Sequence, residues 1–186
     1  MLVENLNNVI KNRKSIYPSQ YNGKIIPLEL IKSLLKNANT APTHKLTQPW
    51  SFNVFAGESK TNLLDEIILI NKDIITEKKK KILKEKFEKT SHIICVCMQR
   101  SCDKLIPEWE EIAATSMAVQ NIWLSCTANK IGCYWSTPKY INKLNSFLNL
   151  KINQRCLGFI YTGLYDKLPK FSTPSDKIEN KTTWNL

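Results

Sequence analysis

Apolar positions recur along the chain with two different spacings, and these predict where helices and strands lie. Leu2, Leu6, Val9 and Ile10 recur at the helical period, so residues 2–12 are predicted to form a helix. The same period predicts further helices over 27–38, 59–68, 77–89, 107–130 and 138–148. Pro27 and Pro107 suit the first turns of their helices, and Ser59 is a predicted N-terminal cap.

Strands are predicted over 50–56, 92–98, 133–136 and 156–163. The 92–98 segment is apolar throughout, which is typical of a central strand with both faces covered. Residues 13–26 contain Pro18 and Gly23 and predict an irregular connection, while 41–49 predicts a polar loop. This order of elements predicts an α+β or α/β class without deciding the topology.

The chain has 186 residues, which predicts one domain spanning residues 1–186 with enough chain to bury a core. Its longest apolar runs fall well short of the roughly 20 residues that a membrane helix needs. The first ten residues lack the basic and apolar regions of a signal peptide. We therefore expect a cytoplasmic protein without a membrane segment.

Six cysteines raise the question of disulfide bonds, but their spacing favours free thiols. Cys95 and Cys97 would face the same side of a strand, and both are predicted to lie in the core. The chain has no C-x-x-C pair, so buried thiols in a reducing compartment are the better interpretation. With only two histidines, His44 and His92, no metal site is predicted.

The formal charge of +11 allows a nucleic-acid-binding function, and the basic segment 77–89 is the candidate region. Its lysines are interleaved with Glu85 and Glu88, as on a solvated helix. Phe87 is its only aromatic residue. Proteins that bind single-stranded nucleic acids commonly present several aromatic side chains on which the bases stack. A solvated helix is therefore favoured, and a basic nucleic-acid-binding protein is the second alternative function.

Common cofactor and hydrolase motifs are absent, including G-x-G-x-x-G, the P-loop, G-x-S-x-G and H-E-x-x-H. Only five glycines are present, so a glycine-lined phosphate cradle is hard to build. Any bound phosphate would have to be held by side chains such as arginine and lysine.

Five segments occur in one order: NRKS (12–15), APTHKLTQPWSF (41–52), PEWE (107–110), KIGCYWST (130–137) and LGFIYTG (157–163). This ordered set resembles the nitroreductase family over about residues 5–165. The family combines R-x-S after its first helix, a loop ending in Q-P-W, a long helix, and an apolar strand with two glycines. The H-K-x-x-Q-P-W and P-x-W-E versions are similar to its YdjA-like members.

The resemblance implies an α+β fold, with a central, mostly antiparallel sheet flanked by helices. It also implies a homodimer with FMN at the subunit interface. NADH or NADPH would reduce FMN, which would then reduce a small-molecule acceptor such as a nitroaromatic compound or a quinone. No side chain is predicted to be catalytic. A flavin-binding carrier or sensor without turnover is the first alternative.

The resemblance and the side-chain chemistry together predict these cofactor-binding residues: Arg13, Lys14, Ser15, Thr40, His44, Gln48, Ser125, Lys130, Trp135, Ser136 and Thr137. Arg13 is the first candidate for the FMN phosphate, because a guanidinium can bind phosphate through two parallel hydrogen bonds. Gln48 can both donate to and accept from FMN. Segment 125–130 resembles a stretch linked to the nicotinamide cofactor. Small residues after Pro107 make that helix the candidate dimer core.

Two positions depart from the family pattern. Tyr17 and Pro18 stand where a second arginine is common, and Thr40 stands where an arginine often precedes the A-P pair. These absences remove phosphate partners and motivate the carrier alternative. The lysines that could replace the missing charge are Lys14, Lys45, Lys167 and Lys170.

Overall fold

A four-stranded antiparallel sheet forms the centre of the computed structural model, which describes residues 2–102, 106–168 and 176–186. The strands are β1 (Trp50–Phe55), β2 (His92–Gln99), β3 (Gly132–Ser136) and β4 (Gln154–Gly163). Their order is β1-β2-β4-β3, and each neighbouring pair is antiparallel. The predicted central position of segment 92–98 is confirmed, because β2 pairs on both of its edges.

Helices cover both faces of the sheet. They are α1 (Leu2–Asn12), α2 (Leu28–Ala38), α3 (Gly57–Ile70), α4 (Glu77–Lys89) and α5 (Glu108–Ala128). The α+β class with an antiparallel sheet is confirmed. Among the described residues, no helix is both long enough and apolar enough to cross a membrane.

Strand alternation divides the core into two clusters. From β2, Ile94 and Val96 face the cluster that contains the buried residues of α2 and α5. Ile93 and Cys95 face the opposite cluster, which contains the buried residues of α3 and α4. We call these two sides of the sheet the α5 face and the α4 face. Cys95 and Cys97 are fully buried free thiols, as predicted, whereas the prediction of burial is wrong for Cys102, which is a free but exposed thiol.

Several predicted boundaries are wrong in detail. Ala56, and not Ser59, is the N-cap of α3, and the Ser59 hydroxyl instead accepts from the Ala56 N–H at 3.0 Å. Residues 138–148 form only a short 3-10 helix at Ile141–Leu144 within a series of turns. Helix α5 ends at Ala128, two residues early, because Lys130 takes a positive φ of 54° that ends the helix.

Candidate functional site

The segment after α1 carries the predicted phosphate-binding residues, and backbone contacts hold it beside β3. The Ile16 N–H donates to the Cys133 carbonyl at 3.1 Å. Tyr21 lies over the paired glycines Gly132 and Gly163, and a Cβ on either would come within 2.5 Å of its ring. The Tyr21 hydroxyl donates to the Ile16 carbonyl at 2.8 Å. This close approach fixes the path of the chain from residue 13 to residue 21.

Arg13 and Lys14 present positive charge at the α5 face. The Arg13 guanidinium carbon lies 4.8 Å from the ring centroid of Trp123, and the Trp123 indole N–H donates to the Lys14 carbonyl at 3.1 Å. Arg13, Lys14 and Ser15 are all half-buried. Within the part of the chain that the structure describes, neither cation pairs with a carboxylate. These donors therefore fit a phosphate group.

The loop that contains His44 and Gln48 has a strained backbone. Lys45, Leu46 and Gln48 have φ values of 47°, 53° and 41°, a region that residues other than glycine seldom adopt. The Gln48 N–H donates to the Thr43 hydroxyl at 3.2 Å, and His44 Nδ1 is hydrogen-bonded to the Glu110 carboxylate. Both predicted side chains are exposed. The loop is thus tied to the first turn of α5.

A buried ion pair near this loop was not predicted from the sequence. The Glu111 carboxylate is 1% exposed and pairs with Arg100, which follows β2. Its other oxygen accepts from the Ser101 N–H at 2.7 Å. Glu111 and Gln48 line the same cavity of about 300 Å³. The helical period places Glu111 on one stripe with the buried Ala114 and Ala118, which is a signal of its burial in the sequence. Its partner could not be predicted, because only the tertiary fold brings Arg100 beside it.

The segment at the end of β3 carries three predicted residues. Trp135 packs against the core on the α5 face. Its indole ring lies so close to Gly158 that a Cβ on Gly158 would be only 2.4 Å from Trp135 Nε1. In the described part of the chain, Trp135 Nε1 is buried without a hydrogen-bond acceptor. Ser136 is half-buried, and the exposed Thr137 donates its hydroxyl proton to the Leu157 carbonyl at 3.3 Å.

The remaining predicted residues lie near the other end of α5. The Asn37 side chain donates to the Ser125 hydroxyl at 2.9 Å, and the Thr40 hydroxyl donates to the Asn37 carbonyl at 2.8 Å. Lys130 is exposed just beyond the helix. These residues occupy the end of the helix opposite His44.

The structure therefore does not bring all of the predicted residues together within one chain. Arg13 contacts Trp123, whereas His44 contacts Glu110. More than three helical turns of α5 separate these two anchor points, which is about 20 Å along the helix axis. The structure places Lys14 beside Arg13 and Lys45 beside His44, and Lys170 lies outside the described residues.

Comparison with known proteins places these features in a family. Residues 10–164 match the family model described as the Nitroreductase family. The chain is 28% identical over 171 residues to "Putative NAD(P)H nitroreductase YfhC" of Bacillus subtilis, covering 89% of this chain and 87% of that protein.

Solved structures agree with this match. The nitroreductase-like family protein from Bacillus cereus is 29% identical, with a TM-score of 0.83, and the match covers 96% of this chain and 95% of that one. The FMN-dependent nitroreductase NfnB from Mycobacterium smegmatis, in complex with NADPH, is 15% identical with a TM-score of 0.78 over 100% of both chains. At that identity the likeness concerns the fold alone. The family match extends over most of the chain, and the protein belongs to the nitroreductase family.

Proposed function

We propose that this protein is an FMN-dependent NAD(P)H oxidoreductase that reduces small, electron-poor acceptors such as nitroaromatic compounds and quinones. Family membership supports the reaction class. The observation on this chain that carries the proposal is the pair of half-buried cations, Arg13 and Lys14, which lack a carboxylate partner among the described residues. A partly buried cation without a counter-charge is costly unless a ligand supplies one.

The phosphate of FMN is the group that these residues would hold. The Arg13 guanidinium can donate two parallel hydrogen bonds to a phosphate, Lys14 adds a second charge, and Ser15 adds a hydroxyl donor. Contact with the Trp123 ring limits the freedom of the Arg13 side chain, so less entropy is lost on binding. The three residues follow one another beside β3, where one anion could reach all of them.

The other predicted residues would surround the rest of the cofactor. His44, Gln48, Ser136 and Thr137 offer donors and acceptors suited to the ribityl chain or the edge of the isoalloxazine ring. When bound, FMN supplies the capacity to accept hydride from NADH or NADPH and pass electrons to an acceptor. We assign Thr40, Ser125, Lys130 and Trp135 to the same site as residues that line it or contact the nicotinamide cofactor.

Two copies of the chain would complete each site. The Arg13 and His44 groups lie about 20 Å apart along α5, so residues of both groups reach one FMN more easily across a dimer interface than within one chain. On α5, Trp109 and Met117 are 68% and 43% exposed and lie on one stripe with the half-buried Ala113. An exposed apolar stripe is typical of a surface that binds a second subunit.

The visible absorption spectrum of the purified protein tests the enzymatic proposal. We expect flavin bands that bleach when NADPH or NADH is added without oxygen, and that return when a nitroaromatic compound or a quinone is added. Bands that neither nucleotide bleaches would favour a flavin carrier, an alternative that the departures at Tyr17, Pro18 and Thr40 motivate. A colourless protein that does not retain added FMN would refute both.

Mixed dimers test whether the site is shared between two chains. Arg13→Ala and Gln48→Ala chains are each expected to bind FMN weakly. If one site takes Arg13 from one chain and Gln48 from the other, a dimer of the two variants contains one fully native site. The isolated mixed dimer is then expected to recover about half of the wild-type FMN content, and an unseparated random mixture of the two chains about a quarter. If both residues come from the same chain, mixing restores nothing.

A further inference from the structure

A cavity of about 310 Å³ lies between α3 and α4, on the α4 face. Its walls are mostly apolar and include Ile74, Ile75, Ile82 and Leu83. Ile74 and Ile82 are 70% and 55% exposed, so their side chains form an open apolar mouth. A mostly apolar cavity with a few polar groups is the usual form of a small-molecule site, and this volume is near the lower end of the range, roughly 300 to 1,000 Å³.

The polar groups of this cavity are cationic or neutral. Lys79 and Lys86 line it together with Asn71 and Tyr140, and no carboxylate is among the described residues that line it. The cavity therefore combines apolar walls with uncompensated positive charge. Such a lining is complementary to a ligand that has an apolar body and a single negative charge.

Lys86 is the cation closest to the interior. Its ammonium lies 3.6 Å from the ring centroid of Tyr161, which is buried, and 5.7 Å from that of Tyr134. Within the described ranges it forms no ion pair. Burial lowers the pKa of the Lys86 ammonium to about 8, because the two aromatic rings compensate only part of the lost hydration. A bound anion would supply the missing counter-charge.

We propose that this cavity binds a small monocarboxylate with a single ring or a short acyl chain as its apolar body, and that its carboxylate pairs with the Lys86 ammonium. The site lies across the sheet from Arg13 and His44, because α4 packs on one face and α5 on the other. The cavity is therefore separate from the proposed FMN site. The proposal goes beyond the oxidoreductase function and adds a second ligand site to the chain.

Calorimetric titration of the FMN-loaded protein with octanoate and with 1-octanol tests the proposal. Both probes have the same chain length, and only octanoate carries a charge. We expect octanoate to bind at least ten times more tightly than octanol to the wild-type protein. Equal affinities, or no binding of either probe, would overturn the proposal, and this comparison needs no variant.

Substitution of Lys86 tests whether its ammonium is the group that pairs with the carboxylate of octanoate. Lys86→Met keeps an unbranched apolar side chain and is expected to lower octanoate affinity at least tenfold while leaving octanol affinity within twofold. Lys84→Met removes an exposed charge from the same helix and is expected to change neither affinity. Equal loss in the two variants would mean that octanoate responds to the general charge of α4, and the assignment to Lys86 would be wrong.

Discussion

Helices α4 and α5 cover opposite faces of the sheet, and they are attached to it in different ways. Helix α5 buries seven residues along its length, among them Ala114, Ala118 and Ile122. Helix α4 fully buries only Phe87 and is otherwise rich in lysine and glutamate. Its local support includes the Thr76 hydroxyl, which accepts from the Lys79 N–H at 3.3 Å, and the Glu77–Lys80 ion pair at 2.6 Å.

The difference shows that the composition of a helix does not by itself reveal how tightly the helix is attached to the core. The sequence of α4 predicts its local contacts, because the N-cap, the charge pairs and the one buried side chain, Phe87, all lie within the helix or next to it. The small residues of α5 do not form caps or charge pairs within the helix. They matter because they allow close approach to the sheet and to α2. We therefore expect α4 to open independently and α5 to unfold only with the whole core.

Removal of the α4 anchor is expected to have the largest effect. Phe87→Ala deletes the one fully buried side chain of the helix, at a typical cost of about 3–5 kcal/mol. Hydrogen exchange of α4 amides should accelerate roughly a hundredfold or more. The α5 amides should also lose protection, because unfolding of the whole core includes the opening of α4. Ile122→Ala on α5 is the control and should accelerate exchange of α5 amides but not of α4 amides, because α5 stays folded when α4 opens alone. Loss of protection in α4 and α5 alike in Ile122→Ala would mean that the two helices form one cooperative unit.

The ion pair at the start of α5 should be nearly as important. Glu111→Ala leaves Arg100 without its carboxylate and the Ser101 N–H without its acceptor. Breaking a buried pair in this way typically costs about 3 kcal/mol. The measurement is the urea midpoint of unfolding. Glu77→Ala, which breaks an exposed pair on α4, is the matched control and should leave the midpoint unchanged. A shift of similar size in both variants would contradict the contrast between the helices.

Loss of a positive charge should weaken FMN binding on the α5 face but not on the α4 face. Arg13→Ala is expected to weaken FMN binding about 10- to 100-fold, since a charge-assisted hydrogen bond contributes about 1.5–3 kcal/mol. Lys84→Ala on α4 removes an equal charge from the opposite face and should change the FMN dissociation constant less than twofold. Fluorescence titration of the apoprotein with FMN measures both. If the two variants weaken binding equally, FMN affinity reflects the overall charge and not a site at Arg13.

The smallest expected effect is a pH dependence of stability that arises from His92, at the start of β2. Burial, and then the positive charge of Lys60, lower the pKa of its imidazole below the ordinary 6.5. The neutral ring is therefore favoured in the folded state, and His92 contributes its full stabilisation above pH 6.5. That contribution is lost as pH falls from 6.5 through the lowered folded-state pKa.

Urea unfolding of wild type and His92→Gln at pH 7.5 and pH 5.5 measures this contribution. The wild-type free energy of unfolding should fall more between these two pH values than that of the variant. His44→Gln is the control, because His44 is exposed and outside the core. Identical pH dependence in wild type and His92→Gln would show that another group is responsible.

The sequence predicted the elements more reliably than their contacts. Periodicity located α1, α4 and all four strands to within about two residues, since each depends on a local apolar pattern. The ends of α3 and α5 were also within two residues, but the features that set those ends were not predicted. The Ser59 hydroxyl was available as a cap, but Ala56 occupies the N-cap position, and the positive φ of Lys130 is a property of the turn into β3. The family resemblance, which rests on the order of the motifs, was confirmed by the family match over residues 10–164.

The sequence alone determined the types of helices α1 to α5 and strands β1 to β4, the burial of two cysteine thiols in β2, and the family, because local pattern and motif order carry that information. Only the tertiary structure decided the strand order β1-β2-β4-β3, the pairing of Glu111 with Arg100, and the separation of Arg13 from His44 along α5. It also decided the position of Lys86 between apolar walls and aromatic rings. These features join residues distant in the chain, and no local pattern records which distant segments will meet.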